Sequence, residues 1–154
     1  MSGATASSPV GAAVDGKEVI WRRFDERDPA HYDNLSVDEQ SGESRLKGHA
    51  LRFDDDGCSV FRERVIVELG LRPGAIATRQ YSALAAAKCC EVDQFESGLA
   101  TEIGQEFRVV PDRLDPPPPF NPAHTLIEHH GVYGSKTKRR QAIHQLARRV
   151  FRVP

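Results

Sequence analysis

The chain has 154 residues, of which 39% are apolar and 28% charged, and its formal net charge is −1. That is room for one domain with its own core, and it excludes a disordered polyelectrolyte. The longest apolar runs, such as Val65 to Val67 and Leu84 to Ala87, fall far short of a bilayer span, so no membrane partner is expected.

Residues 1–16 are small, polar and rich in Gly, Ala and Ser, with no basic segment ahead of an apolar core. They read as a disordered tail without a secretory signal, leaving residues 17–154 as a single domain. An odd cysteine count (Cys58, Cys89, Cys90) with one vicinal pair argues against a disulfide framework and for a cytoplasmic location.

The run 18–24 is β-branched and aromatic and predicts a strand, followed by a polar loop over 25–43. Residues 45–53 and 58–62 predict two strands around an Asp54-Asp55-Asp56-Gly57 turn, hence a hairpin. Phe61, Val65 and Leu69 fit helical spacing before Gly70 and Pro73, and 75–79 fits a short strand. Residues 82–90 start with a serine cap and continue with strong helix formers. Asp93 and Glu96 resemble a capping box for a helix ending at Gly104. Residues 106–110 and 124–128 predict strands, with Pro116 to Pro119 extended between them. A final amphipathic helix is expected over 135–152, with Ile143, Leu146, Ala147 and Val150 on its apolar side. The sum is an α+β domain with a short mixed or antiparallel sheet and a basic C-terminal helix.

Charge is unevenly spread. Residues 1–134 carry 14 basic and 22 acidic side chains, a balance of −8, whereas residues 135–154 carry seven basic and no acidic ones. Arg139, Arg140, Arg148, Arg149 and Arg152 are therefore the candidate binding residues, for an acidic protein surface or for nucleic-acid phosphates. Cys58, Cys89, Cys90, His124, His129 and His130 lack the tight pair spacing of structural zinc, and the Asp54–Asp56 run lacks an EF-hand spacing, so neither a metal nor another cofactor is expected.

No G-x-S-x-G elbow exists, and Ser59, His124 and Asp115 lie far apart in the chain. Arg22, Ser59 and His124 are the catalytic candidates: arginine holds phosphate, and histidine titrates near neutral pH. The order Arg22, Ser59, Glu63 is loosely similar to that of ADP-ribosyltransferase-like enzymes. The run from Pro116 to Pro122 reads as a rigid connector.

Over residues 19–150 the order of features resembles a widespread group of small bacterial proteins of unassigned function. The resemblance rests on Trp21-Arg22-Arg23, Arg52-Phe53, the turn and strand from Asp56 to Phe61, Pro122-Ala123-His124 and the basic terminal helix. It implies an accessory role in a bacterial defence, conflict or mobile-element system. Residues 91–106 are extra to that pattern. The first expectation is an adaptor acting through protein–protein interaction. The alternatives are a small enzyme or toxin directed at a nucleotide or nucleic acid, and a nucleic-acid-binding module using the terminal helix.

Overall fold

The structure is a computed structural model, and it describes residues 14–25 and 35–154. Most of the expected N-terminal tail lies outside the described residues. Its last part does not: Val14 packs on the core and the Gly16 carbonyl accepts the Cys90 N–H at 2.8 Å.

Five strands form one antiparallel sheet in the order β5-β1-β4-β7-β6. They are β1 (Val19–Phe24), β4 (Cys58–Arg62), β5 (Ala83–Lys88), β6 (Phe107–Pro111) and β7 (His124–His129). Two short strands, β2 (Leu35–Val37) and β3 (Ser44–Leu46), pair beside it. Three α-helices occur among the described residues: α1 (Glu63–Glu68), α2 (Cys89–Asp93) and α3 (Lys136–Val150). No helix of the described residues is long and apolar enough to cross a membrane.

Alternation along the strands separates two cores. Cys58 and Val60 join Ile20, Phe24, Phe107, Ile127 and the α3 residues Leu146, Ala147 and Val150 on one face. Phe61 joins Val65, Ile66, Ile76, Phe120 and Ala123 on the other. Helix α3 forms where periodicity placed it. Ser135 Oγ accepts the Lys138 N–H at 3.2 Å, and Arg148 and Arg149 lie in the last turn, where cations suit the helix dipole.

Several elements depart from expectation. The run 82–90 is strand first, not helix: Ala83–Lys88 pairs along its whole length with β1, and Ala86 exchanges backbone bonds with Arg152. Tertiary pairing overrides alanine's helix propensity here. No helix spans 93–103. Asp93 ends α2, its carboxylate takes the Val109 N–H at 2.9 Å, and Gly98 and Gly104 adopt φ of 77° and 153°. Residues 73–76 make a 3-10 turn where a strand was expected. Within the run expected to be extended, the peptide bonds Pro116–Pro117 and Pro117–Pro118 are cis.

The Asp54–Gly57 turn forms, but it joins no hairpin of 45–53 with 58–62. Strand β3 ends at Leu46, and β4 instead pairs with β1 and β7. Gly57 has φ 126°, and a Cβ there would stand 2.5 Å from the Ile127 carbonyl oxygen, so only glycine lets the turn close on β7.

Candidate active site

Strand pairing brings Ser59 and His124 together from 65 positions apart. Phe61 pairs with His124 and Ser59 with Leu126, so Ser59 and His124 are diagonal neighbours on one face of the sheet. His124 Nε2 lies 3.0 Å from Ser59 Oγ. Its Nδ1 lies 2.9 Å from the Asp112 carbonyl oxygen and 3.1 Å from Asp112 Oδ2. Both Asp112 atoms are acceptors, so the proton sits on Nδ1 and Nε2 is left to accept from the serine hydroxyl. The imidazole is nine-tenths buried and stands edge-on to Phe61, with ring centres 5.5 Å apart.

The aspartate beside His124 is Asp112, not Asp115. Asp115 pairs with Arg113 at 3.2 Å and is 87% exposed. Asp112 follows β6, whose last residue Pro111 pairs with Thr125, and so stands beside His124. Only the β6–β7 register carries that information.

Ser59 opens on a cavity of about 220 Å³ lined also by Arg22, Arg23, Arg52, Asp54 and Tyr81. Pairing of β1 with β4 covers Ile20–Arg62 and Trp21–Phe61. Where it stops, Arg22 takes over: Nε donates to the Ala50 carbonyl at 2.8 Å and Nη1 to the Ser59 carbonyl at 2.9 Å. Arg22 thus fixes the main chain at Ser59, with two nitrogens spent on that task.

Arg23, next on the strand, points to the opposite face. Its guanidinium lies 5.2 to 5.6 Å from the ring centres of Phe61, Phe120 and Tyr81, and Nη1 donates to the Ile76 carbonyl. Burial, then the Arg22 charge, holds its pKa below the ordinary arginine value. Arg52 is exposed, with its Nε 3.6 Å from Asp54 Oδ1. Tyr81 and Asp112 were not singled out in the sequence, and Arg23 and Arg52 entered only through the family resemblance, not as site residues. The alternation of β1, which sends two adjacent arginines to different faces, is the signal that pointed to Arg23.

Glu63 does not join them. Its carboxylate accepts the Trp21 indole N–H at 3.1 Å, and it borders a separate cleft with Asp15, Lys17 and Glu18. The set Arg22, Ser59, Glu63 is therefore not assembled.

The cationic residues of α3 stand apart from the relay. Lys136, Lys138, Arg139, Arg140, Arg148 and Arg149 are exposed, as is Arg152, which lies past the end of the helix, short of the expected 135–152, and bridges to Ala86. None makes a salt bridge among the described residues, although Arg148 acts electrostatically on the Asp38 carboxylate. Arg149 lies over Phe95 at 5.2 Å, Arg152 bonds the Arg149 carbonyl, and Arg139 reaches His129 Nδ1 at 3.4 Å.

Cys58 and Cys89 are buried. Burial pushes both thiols up, Cys89 to about 12, which suits packing rather than nucleophilic chemistry. Among the described residues no three His, Cys, Asp or Glu side chains are placed to hold a metal ion.

No protein-family model, no curated protein and no solved structure matches this chain.

Proposed function

We propose that the chain is a small enzyme acting on a phosphate ester of a nucleotide or nucleic acid, with Ser59 as nucleophile and His124 as general base and acid. The observation that carries this reading is the Ser59–His124–Asp112 hydrogen-bonded chain, whose serine lines a cavity with three arginines and Asp54. A nucleophile bonded to a base that is itself oriented by a third group is the arrangement nucleophilic catalysis requires. The arginines make the electrophile anionic: Arg23 and Arg52 suit phosphoryl oxygens better than a neutral acyl group.

In the first step Ser59 Oγ bonds to phosphorus, its proton passes to His124 Nε2, and the bond from phosphorus to the leaving oxygen breaks. The imidazolium, held at Nδ1 by Asp112, returns that proton to the leaving oxygen. Water then bonds to phosphorus and gives a proton to His124, the phosphorus–Oγ bond breaks, and Oγ takes the proton back. Asp112 and Arg22 act as positioning residues in this scheme.

Hydrolysis of bis(para-nitrophenyl) phosphate tests it. Release of nitrophenolate by the wild type and its loss in Ser59→Ala are the expected result. Equal rates in both proteins would refute the assignment.

A second reading is an accessory or adaptor protein in a bacterial defence or conflict system, and the exposed cationic side of α3 favours it. It predicts a stoichiometric protein partner that is lost when Arg148, Arg149 and Arg152 are replaced by alanine. A partner retained by that variant would remove α3 as the contact.

A further inference from the structure

A second, larger cavity of about 500 Å³ lies between the 3-10 turn Gly48–Ala50 and α3. Its lining is Gly48, His49, Leu51, Arg52, Thr137, Arg140, Gln141, Ile143 and His144, with no acidic residue. Thr137, Arg140, Gln141 and His144 recur at three- and four-residue spacing, so one stripe of α3 forms a wall, and Arg148 continues the stripe by one turn. Lys47 and Arg148 lie near enough to His144 to act on it electrostatically, and Arg148 acts on the Asp38 carboxylate as well. Leu51 and Ile143 supply an apolar floor.

The turn is fixed against the helix. The Gly48 N–H donates to His144 Nδ1 at 3.1 Å, and a Cβ on Gly48 would stand 3.0 Å from the His144 Cα. Arg52 lines both this groove and the Ser59 cavity, so the two share a wall. Asp54, Asp55, Asp56 and Glu128 line a different cavity, with Arg139, and of these acids Asp54 also lines the Ser59 cavity, where Arg52 stands 3.6 Å from it.

We propose that this groove binds a single-stranded nucleic acid and that the strand passes Arg52 to present a phosphodiester to Ser59. The inference rests on the enzyme reading above and selects a polymer over a free nucleotide as its substrate. Cations on the rim meet successive phosphates, and an apolar floor takes an unstacked base, which a duplex does not offer. A free nucleotide would use the Ser59 cavity alone and leave the groove and Arg148 without a role.

Fluorescence anisotropy of a labelled single strand, roughly a dozen nucleotides long, measures the binding on the full chain. The wild type and Ser59→Ala are expected to bind alike. The Arg140→Ala/Arg148→Ala double variant is expected to bind at least about tenfold more weakly, with a shallower salt dependence by about one to two units of slope between about 50 and 200 mM salt. Arg64→Ala, an exposed cation on α1, controls for loss of charge alone and is expected to bind as the wild type does. The bound strand should also slow labelling of Ser59 by a fluorophosphonate.

Absence of binding, equal loss in Arg64→Ala, or binding without protection of Ser59 would each overturn the proposal. Preferential retention of an acidic protein over the strand would do the same. Ser59 labelling in a protein that binds no strand leaves the enzyme reading standing and removes only the polymer. Failure of Ser59 to label in the free protein sinks the enzyme reading itself.

Discussion

Strand β7 carries two histidines, and they lead different lives. His124 opens the strand and His129 closes it, on opposite faces of the sheet. Both have partners on both ring nitrogens. His124 joins Asp112 to the Ser59 hydroxyl, which faces a cavity. His129 stacks on Phe107 at 4.5 Å and gives its Nε2 proton to Tyr133 Oη at 2.9 Å. That phenol donates onward to Glu106 Oε1 at 2.7 Å, where Ser97 Oγ also donates, and the Ser97 N–H donates to Oε2. One chain ends on a half-buried serine that lines a cavity and the other on a buried carboxylate. A bonded histidine therefore does not by itself mark a catalytic site; what its partner faces decides.

The pKa directions follow the same division. Burial alone would raise the Glu106 carboxyl, yet the hydrogen bonds from Ser97 and Tyr133 outweigh it and hold the group below the ordinary range. Burial, then the bond to Glu106, pushes the Tyr133 phenol up. Burial, then the Arg139 charge, brings His129 down to about 4. The proton order along this network is thus locked at neutral pH, as a structural clasp between the 94–106 segment and the end of β7 requires.

The largest test of the contrast removes one histidine at a time. His124→Ala should slow phosphodiester hydrolysis by about 10²- to 10⁴-fold, the usual worth of a general base, measured as kcat/KM. His129→Ala should leave the rate per folded molecule near wild type. Glu106→Ala comes next. It strands three donors in a partly buried site, so a loss of about 2–4 kcal/mol is expected in urea unfolding, without loss of Ser59 reactivity.

Asp112→Asn should be milder than His124→Ala, at about tenfold. The main-chain carbonyl of Asp112 remains to hold the Nδ1 proton, so the tautomer survives the loss of the carboxylate charge. The smallest effect is pH dependence. His129 has a folded pKa below its ordinary 6.5, so the unfolded chain takes up the proton first as pH falls. Its contribution is complete above about pH 6.5 and is lost toward pH 4. Thermal melting across that window should show a falling midpoint, with a flatter profile in His129→Ala.

Local patterns announced the fold class, β1, β4, β6, β7 and α3, because each has a clear period or a cap such as Ser135. They misread 82–90, since an alanine run has no face of its own and takes the conformation its neighbours impose, here six pairs with β1. The Asp93–Gly104 segment failed for a related reason. The Asp93 carboxylate that resembled a helix cap serves the Val109 N–H instead, and Ile103, which a helix would have set on the same side as Phe95 and Leu99, is fully exposed. Arg22, Ser59 and His124 were named from residue type alone. That they meet is a property of strand register, which short motifs do not encode, and the same register replaced Asp115 by Asp112.

Intact-mass and peptide-mapping analysis after treatment with a fluorophosphonate tests the central claim most directly. One adduct on Ser59 in the wild type, none in Ser59→Ala and strongly slowed labelling in His124→Ala are predicted. A wild type that gains no adduct, or a Ser59→Ala variant that labels as fast as the wild type, would contradict the account.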